Sequence, residues 1–486
     1  MPSGSRPSSA RYVRCVIDRP LRTPRTRALL TLLMTMVGLP FAVEDDGPPD
    51  ERVAAVVRVT GEAGGGAPTP AALHLAPPER WEDPRQVSLS WDGSLPLLFG
   101  RATHDTSRFV EDGRVRVDVL GALEFFTAGE RRAVAHRDGL GRFRPEYSVL
   151  DDLGLAYIAP ISRYGTAIRA WLRERADGLP EAGWRGRGRF LVALTHDVDS
   201  VREDAPSLRK ARHLLVTGLR ARRVAAVQAG LTEVARQVVR RPRDPAFNFD
   251  AWAALERRLD VRATYHFFGD YEDGRHPDDA WYAYGERGRL GGRAQTLAEA
   301  IRTLADDGFE IGLHASIASH GDAARGAREA ATLGRASGGA PRSVRAHHLR
   351  FDEDVSVPAY AAAGLRTDSS IGGMGFARGV ACPFPVAAQG SASELLEVPT
   401  VAMDHIFDKE WRMGLDHGLA TRKVCRVLGE VRDAGGAAAI LFHPDVAARL
   451  PLYEAIVGWI REQGGECTTV ADLAARWADR GPLESA

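Results

Sequence analysis

The sequence predicts an α/β protein: a parallel sheet or barrel of about seven βα units, preceded by a smaller domain that mixes helix and strand. Three observations lead there. At 486 residues the chain exceeds one ordinary domain. A stretch rich in Gly and Arg at 177–189 reads as a boundary. Beyond it, short apolar runs alternate with amphipathic segments, the pattern of strand–helix–strand units in a parallel sheet.

Taken in order, residues 1–10 are rich in Ser, Pro and Arg and are expected to be disordered. An N-terminal α+β domain is expected over 11–180 and the barrel over 181–486. A basic stretch at 19–27 followed by an apolar one at 28–43 has the look of a signal peptide. The apolar run is too short to span a bilayer and shows no clear small-x-small cleavage site before Glu44. The favoured reading is a buried helix over 27–37, stopped by Gly38-Leu39-Pro40, and a short strand at 41–43. A cytoplasmic protein without an integral membrane segment is therefore expected, export being the lesser alternative. Strands are expected at 53–60, 95–99 and 115–120, a Gly/Pro/Ala loop at 61–70, and helices at 121–131 and 161–175. In the barrel region, strands are expected at 190–195, 261–268, 309–314, 344–347, 365–369, 395–399 and 437–443. Helices fit between them at 249–259, 297–307, 322–336, 355–363 and 420–434.

Composition narrows the function. Lys+Arg and Asp+Glu both number 64, so no global basic field argues for nucleic acid. The one basic cluster, 220–243, reads as an amphipathic helix with a solvated face. Cys15, Cys382, Cys425 and Cys467 lie far apart, with neither a zinc-ribbon spacing nor a disulfide framework. A reducing compartment is the simpler reading.

The chemistry concentrates where the apolar run 191–195 ends in His196-Asp197-Val198-Asp199. Side chains two apart on an extended segment point the same way, so Asp197 and Asp199 can converge. Two acids at the mouth of a buried strand are costly unless a cation sits there. The structural alternative is a turn-capping Asp with a solvated neighbour. Other strand ends carry His314, Arg345 with His347 and His348, and His443-Pro444-Asp445. In parallel α/β folds the chemistry sits at the carboxyl ends of the strands. Imidazole and carboxylate together form zinc-type ligand sets that leave a position for water.

These residues resemble the NodB-type polysaccharide deacetylases, carbohydrate esterase family four. The resemblance rests on Thr195-His196-Asp197-Val198-Asp199, Glu310-Ile311-Gly312-Leu313-His314, Arg345-Ala346-His347-His348-Leu349-Arg350-Phe351 and Ile440-Leu441-Phe442-His443-Pro444, in the family's order over roughly 190–475. It is closest to a divergent branch with an extra N-terminal domain. Asn248-Phe249-Asp250, Ala263-Thr264-Tyr265-His266-Phe267-Phe268, Asp368-Ser369-Ser370-Ile371-Gly372 and the stretch 120–147 look like that branch too.

The resemblance implies a distorted (β/α)7 barrel that hydrolyses an N-acetyl group on a saccharide with a divalent metal, zinc first and cobalt or nickel as alternatives. It implies Asp197 as general base, Asp199 and His314 as metal ligands, Arg345 as the group orienting the base, and His443 as general acid. The chain departs from the family at the second motif, where Ala318 stands in place of a histidine four residues after His314. His320, at i+6, lies about 240° round a helix from His314 and reaches the same metal only from a loop. His347, on a strand beside that of His314, is the preferred third ligand, with His320, water or no metal as alternatives. The third motif is also altered, with Arg345-Ala346-His347 replacing Arg-x-Pro.

His266 and His405 are read as lining the cleft or packing, and Trp252 as core. Asp404 and Asp408 are candidate substrate contacts, and Cys382-Pro383-Phe384-Pro385 is read as a rigid loop. Two other functions stay open: a metal-independent C–N hydrolase acting on a non-sugar amide, and a non-catalytic carbohydrate-binding barrel.

Overall fold

The computed structural model describes residues 11–44, 52–61, 72–100, 106–180, 189–202, 215–216, 227–228, 231, 245–269, 276, 278–280, 282–388, 391–407 and 413–483. The expected disorder of 1–10, nearly all of the loop 61–70 and nearly all of the basic stretch 220–243 lie outside these residues, as does the boundary at 181–188.

The N-terminal half is built on a six-stranded, mostly parallel sheet. Strand β1 (Tyr12–Ile17) sits between β2 (Phe41–Glu44) and β3 (Val53–Val59), and β3 pairs with β4 (Ala72–Leu75). The signal-like run is helix α1 (Pro24–Val37) followed by β2, as the favoured reading has it. Thr23 caps α1 by accepting the Thr26 N–H, and Gly38 ends it at φ 73°, a left-handed conformation natural to glycine. Leu30, Leu33, Met34 and Val37 are buried, and α1 packs against α2 (Pro160–Arg175). The strand expected at 115–120 is a correction. Only Arg114–Val115 is extended, and a helix starts at Val119 because Asp118 caps it through the Gly121 N–H at 2.8 Å.

The barrel begins with β5 (Leu191–Val198), buried along its whole length. On one side of it follow β6 (Thr264–Phe267), β7 (Glu310–Ala315), β8 (Ser343–Ala346), β9 (Thr367–Asp368) and β10 (Ser391–Glu397), all parallel. On the other side lie β12 (Ala437–Phe442) and then β11 (Thr400–Met403). The expected strand at 395–399 is one bent strand, β10 and β11, interrupted at Val398-Pro399 because proline has no N–H to offer the ladder. That bent strand closes the ring. Its first half pairs with β9, and its second half meets the chain just beyond β9, where Gly372 bridges Thr400 and the Thr400 N–H donates to the Ile371 carbonyl at 3.0 Å. Seven parallel strand positions thus form a closed (β/α) barrel.

The barrel is distorted between β5 and β6. These pair only from Thr195 onward, and β13 (Glu466–Thr468) fills the gap beside Leu191–Ala193. The strap carrying Phe384–Ala388 is a strand, antiparallel to β10, rather than a plain loop. Helices α3 (Asp250–Arg258), α4 (Leu297–Asp306), α5 (Ala323–Ser337), α6 (Glu353–Ala362) and α7 (His417–Ala434) occupy the expected places. Helices α8 (Leu450–Glu462) and α9 (Val470–Ala478) come in addition. Their apolar stripes, Leu452, Tyr453, Ile456, Val457 and Ile460, then Val470, Leu473 and Trp477, carry the helical period.

The N-terminal half is pinned to the barrel by buried or half-buried ion pairs, including Arg131 with Asp352 at 2.8 Å and with Glu353, and Arg163 with Glu430. No helix among the described residues is long and apolar enough to cross a membrane.

Closure through Gly372 has a direct test. Gly372 has φ 143°, and a Cβ there would lie 1.9 Å from the Thr400 carbonyl oxygen. Gly372→Ala is expected to cost about 2–4 kcal/mol in urea unfolding. Gly458→Ala, in α8 with nothing within 4 Å of the added methyl, should gain about 0.5–1 kcal/mol. A Gly372→Ala protein as stable as the parent would contradict the closure.

Candidate metal centre

Register places the polar side chains. In neighbouring strands Asp197 is level with His266, His266 with Gly312, and His314 with Arg345. Gly312 is small for a reason: a Cβ there would lie 2.5 Å from the His266 ring and 2.6 Å from Ser343 Oγ.

At the carboxyl ends, Asp199, His314 and His347 form a group whose ligand atoms all lie within 4.8 Å of one another. His314 Nε2 is 3.2 Å and His347 Nε2 3.7 Å from Asp199 Oδ1. The far side of each ring is committed. His314 Nδ1 lies 2.9 Å from the Arg345 carbonyl oxygen, and His347 Nδ1 3.0 Å from Asp279 Oδ1. A carbonyl or carboxylate oxygen only accepts, so each Nδ1 carries a proton and each neutral ring aims its Nε2 lone pair at the Asp199 carboxylate. Two buried imidazole acceptors facing a partly exposed carboxylate are costly unless something positive sits among them. Without a metal, that charge is a proton on the His314 ring. His314 accordingly titrates above its usual range: burial opposes this, but the Asp197 charge and the Asp199 hydrogen bond outweigh it. The donor set therefore fits zinc, and the pinned Nδ1 atoms are the usual support for such a ligand.

Two flanks complete the site. On one, Asp197 is buried, with Oδ2 3.8 Å from His314 Nε2 and 4.0 Å from an Arg345 guanidinium nitrogen, and Oδ1 3.5 Å from His266 Nδ1. Burial alone would raise its pKa, but Arg345, His314 and His266 hold it well below the ordinary carboxylate range. Arg345 is fully buried and fixed by Ser369 Oγ and Thr195 Oγ1, each at 3.1 Å. On the other flank, His443 Nε2 lies 3.8 Å from Asp199 Oδ2. Its Nδ1 is 2.7 Å from Asp404 Oδ1, and its backbone N–H donates to Asp404 Oδ2 at 2.8 Å. Arg449 also pairs with Asp404. Burial lowers the His443 pKa, but the Asp404 carboxylate overrides this and raises it to about 10, leaving the ring protonated at neutral pH. The His405 ring stacks on it at 3.7 Å between centroids.

The six residues singled out from the sequence, Asp197, Asp199, His314, Arg345, His347 and His443, therefore gather at one mouth. His347 is not on the strand but in the turn that follows it. His320 stays outside the ligand group, with Nδ1 3.3 Å from Ser356 Oγ. Asp404 is committed to His443 and Arg449 instead of facing substrate, and Asp408 lies outside the described residues. Trp252 is core, packed on His196 and Tyr453. Sequence reasoning missed Asp279 and Arg449. Asp279 lies in a loop without periodicity, where it accepts the Ile317 N–H at 2.7 Å and carries no spacing signal. Arg449 follows His443 by six residues in a 3-10 turn, and one basic residue among many gave no cue.

No family model matches the chain, and no curated protein does. Solved structures do. A Mycobacterium smegmatis protein assigned as a polysaccharide deacetylase matches with 18% identity and TM-score 0.40, over 63% of this chain and 96% of that one. An allantoinase matches with 12% identity and TM-score 0.39, over 62% and 94%. The chitin deacetylase of the fungus Colletotrichum lindemuthianum matches with 16% identity and TM-score 0.30, over 59% and 88%.

Asp279→Ala should weaken zinc binding by about 10–100-fold in chelator competition, because it frees the His347 ring. His320→Ala should leave the affinity unchanged. The reverse order would move the third ligand from His347 to His320.

Proposed function

We propose that the protein is a metal-dependent amidohydrolase that removes the acetyl group from an N-acetylated saccharide. The observation that carries the reading is the convergence of three ligand lone pairs between a buried ionised carboxylate on one side and a protonated imidazole on the other. Asp199, His314 and His347 would hold the divalent cation, zinc by the nature of the donors. Such a cation lowers the pKa of a water and polarises an acetyl carbonyl.

The chain supplies the rest. Asp197, kept ionised by Arg345, accepts the proton of the attacking water. Arg345 is locked by Ser369 and Thr195, so Asp197 faces a fixed partner. His443, kept protonated by Asp404, delivers a proton to the departing amine as the C–N bond breaks. Water thus adds to the acyl carbon, and the products are acetate and the free amine. Each positioned acid or base is worth on the order of 10²–10⁴ in rate. The saccharide class comes from the motif resemblance.

Acetate release from N-acetylated oligosaccharides is expected to be lost on chelation and to fall by about 10²–10⁴ in Asp197→Asn. Release that survives both would favour a metal-independent hydrolase. Saccharide binding without turnover, unchanged in Asp197→Asn, would favour a binding protein. Asp404→Asn adds a pH signature. Asp404 raises the His443 pKa, so its removal lets His443 lose its proton at lower pH, and the alkaline limb of kcat/KM should move toward neutrality. A limb that stays in place would take His443 out of the acid role.

A further inference from the structure

We infer that Arg142, from the N-terminal half of the chain, is a positioning residue for the metal ligand His347, so that the N-terminal half completes the centre at the barrel mouth. This rests on the metal reading above.

The turn that carries His347 is strained. His348 and Leu349, directly after it, both have left-handed backbone, at φ 57° and 55°. Two such residues in succession, neither of them glycine, are each strained and persist only when their surroundings impose them. The backbone hydrogen bonds of the turn itself, Arg350 N–H to the His347 carbonyl at 3.1 Å and Phe351 N–H to the Leu349 carbonyl at 2.9 Å, leave the His348 carbonyl to an outside donor. Arg142 is that donor: its guanidinium hydrogen-bonds the His348 carbonyl oxygen.

Arg142 is itself held rigid. Its Nε donates to Asp138 Oδ2 at 2.8 Å, and a second guanidinium nitrogen lies 2.7 Å from the same carboxylate. Asp138 Oδ1 in turn accepts the N–H groups of Leu140 and Arg142, each at 3.0 Å, and the loop closes through Gly141 at φ 77°. A planar fork that engages a carboxylate and a carbonyl at once is a task for arginine and not for lysine. The His348 ring stacks on His347 at 4.1 Å between centroids, so the left-handed turn also sets the plane of the ligand. Asp279 fixes the Nδ1 side of His347, and Arg142 fixes the backbone from which the ring projects.

The test is zinc affinity by chelator competition and the visible spectrum of the cobalt(II) protein, for the full-length parent, Arg142→Ala, Arg142→Lys and Arg132→Ala. Arg132 also crosses to the barrel, pairing with Asp354 at 2.7 Å, but does not touch the His347 turn. Arg142→Ala is expected to bind zinc about 10–100-fold more weakly with an altered cobalt spectrum, and Arg142→Lys to lose part of the affinity. Arg132→Ala should match the parent. Parent-like zinc affinity and cobalt spectrum in Arg142→Ala overturn the inference while leaving the metal centre standing. Should Arg142→Ala not fold, the lysine variant decides by the same criterion. A parent that binds neither ion overturns the metal reading itself, and the inference with it.

Discussion

Everything at this barrel mouth follows from one electrostatic constraint. Asp199 faces two imidazole nitrogens at 3.2 and 3.7 Å, and both rings have spent their other nitrogen on an acceptor. Such acceptors, two of them buried, are costly together without a positive partner. With a cation proposed there, the neighbours acquire meaning. Asp197 stays ionised because Arg345 is sealed beside it, and His443 stays protonated because Asp404 is sealed behind it. Their environments push the pKa values of the two flanking groups in opposite directions, as the proposed base and acid roles require.

Convergence in turn depends on ring closure. The proposed ligands, just after β5, on β7 and in the turn after β8, meet only because the sheet curves back on itself, and the bent strand around Pro399 lets seven strands do this. The gap between β5 and β6 lies at the end opposite the site and is filled by β13. The N-terminal half contributes through salt bridges to α6 and α7 and through the Arg142 contact to the turn that carries His347.

Much of this was legible in the sequence, and the reasons are physical. Buried parallel strands are uninterrupted apolar runs, so β5 and the strand ending at Phe442 stood out, and polar residues breaking those runs marked the mouth. The signal-like segment was legible as helix and strand because Gly38 and Pro40 punctuate it. What escaped lacked periodicity. Asp279 sits in a loop, and its partnership with His347 exists only in three dimensions. The helix start at Asp118 was hidden by a run of β-branched residues, Val115, Val117 and Val119, which read as a strand until the cap is seen. The choice of His347 over His320 came from strand adjacency. Its placement in a left-handed turn held from outside had no counterpart in any pattern of residue types.

The measurement that tests the central claim most directly is zinc K-edge X-ray absorption on the zinc-loaded protein. The expected result is a four-coordinate ion with only nitrogen and oxygen neighbours at about 2.0–2.1 Å, two of them imidazoles. Sulfur scattering at about 2.3 Å, a single imidazole, or no zinc retained after desalting would contradict it.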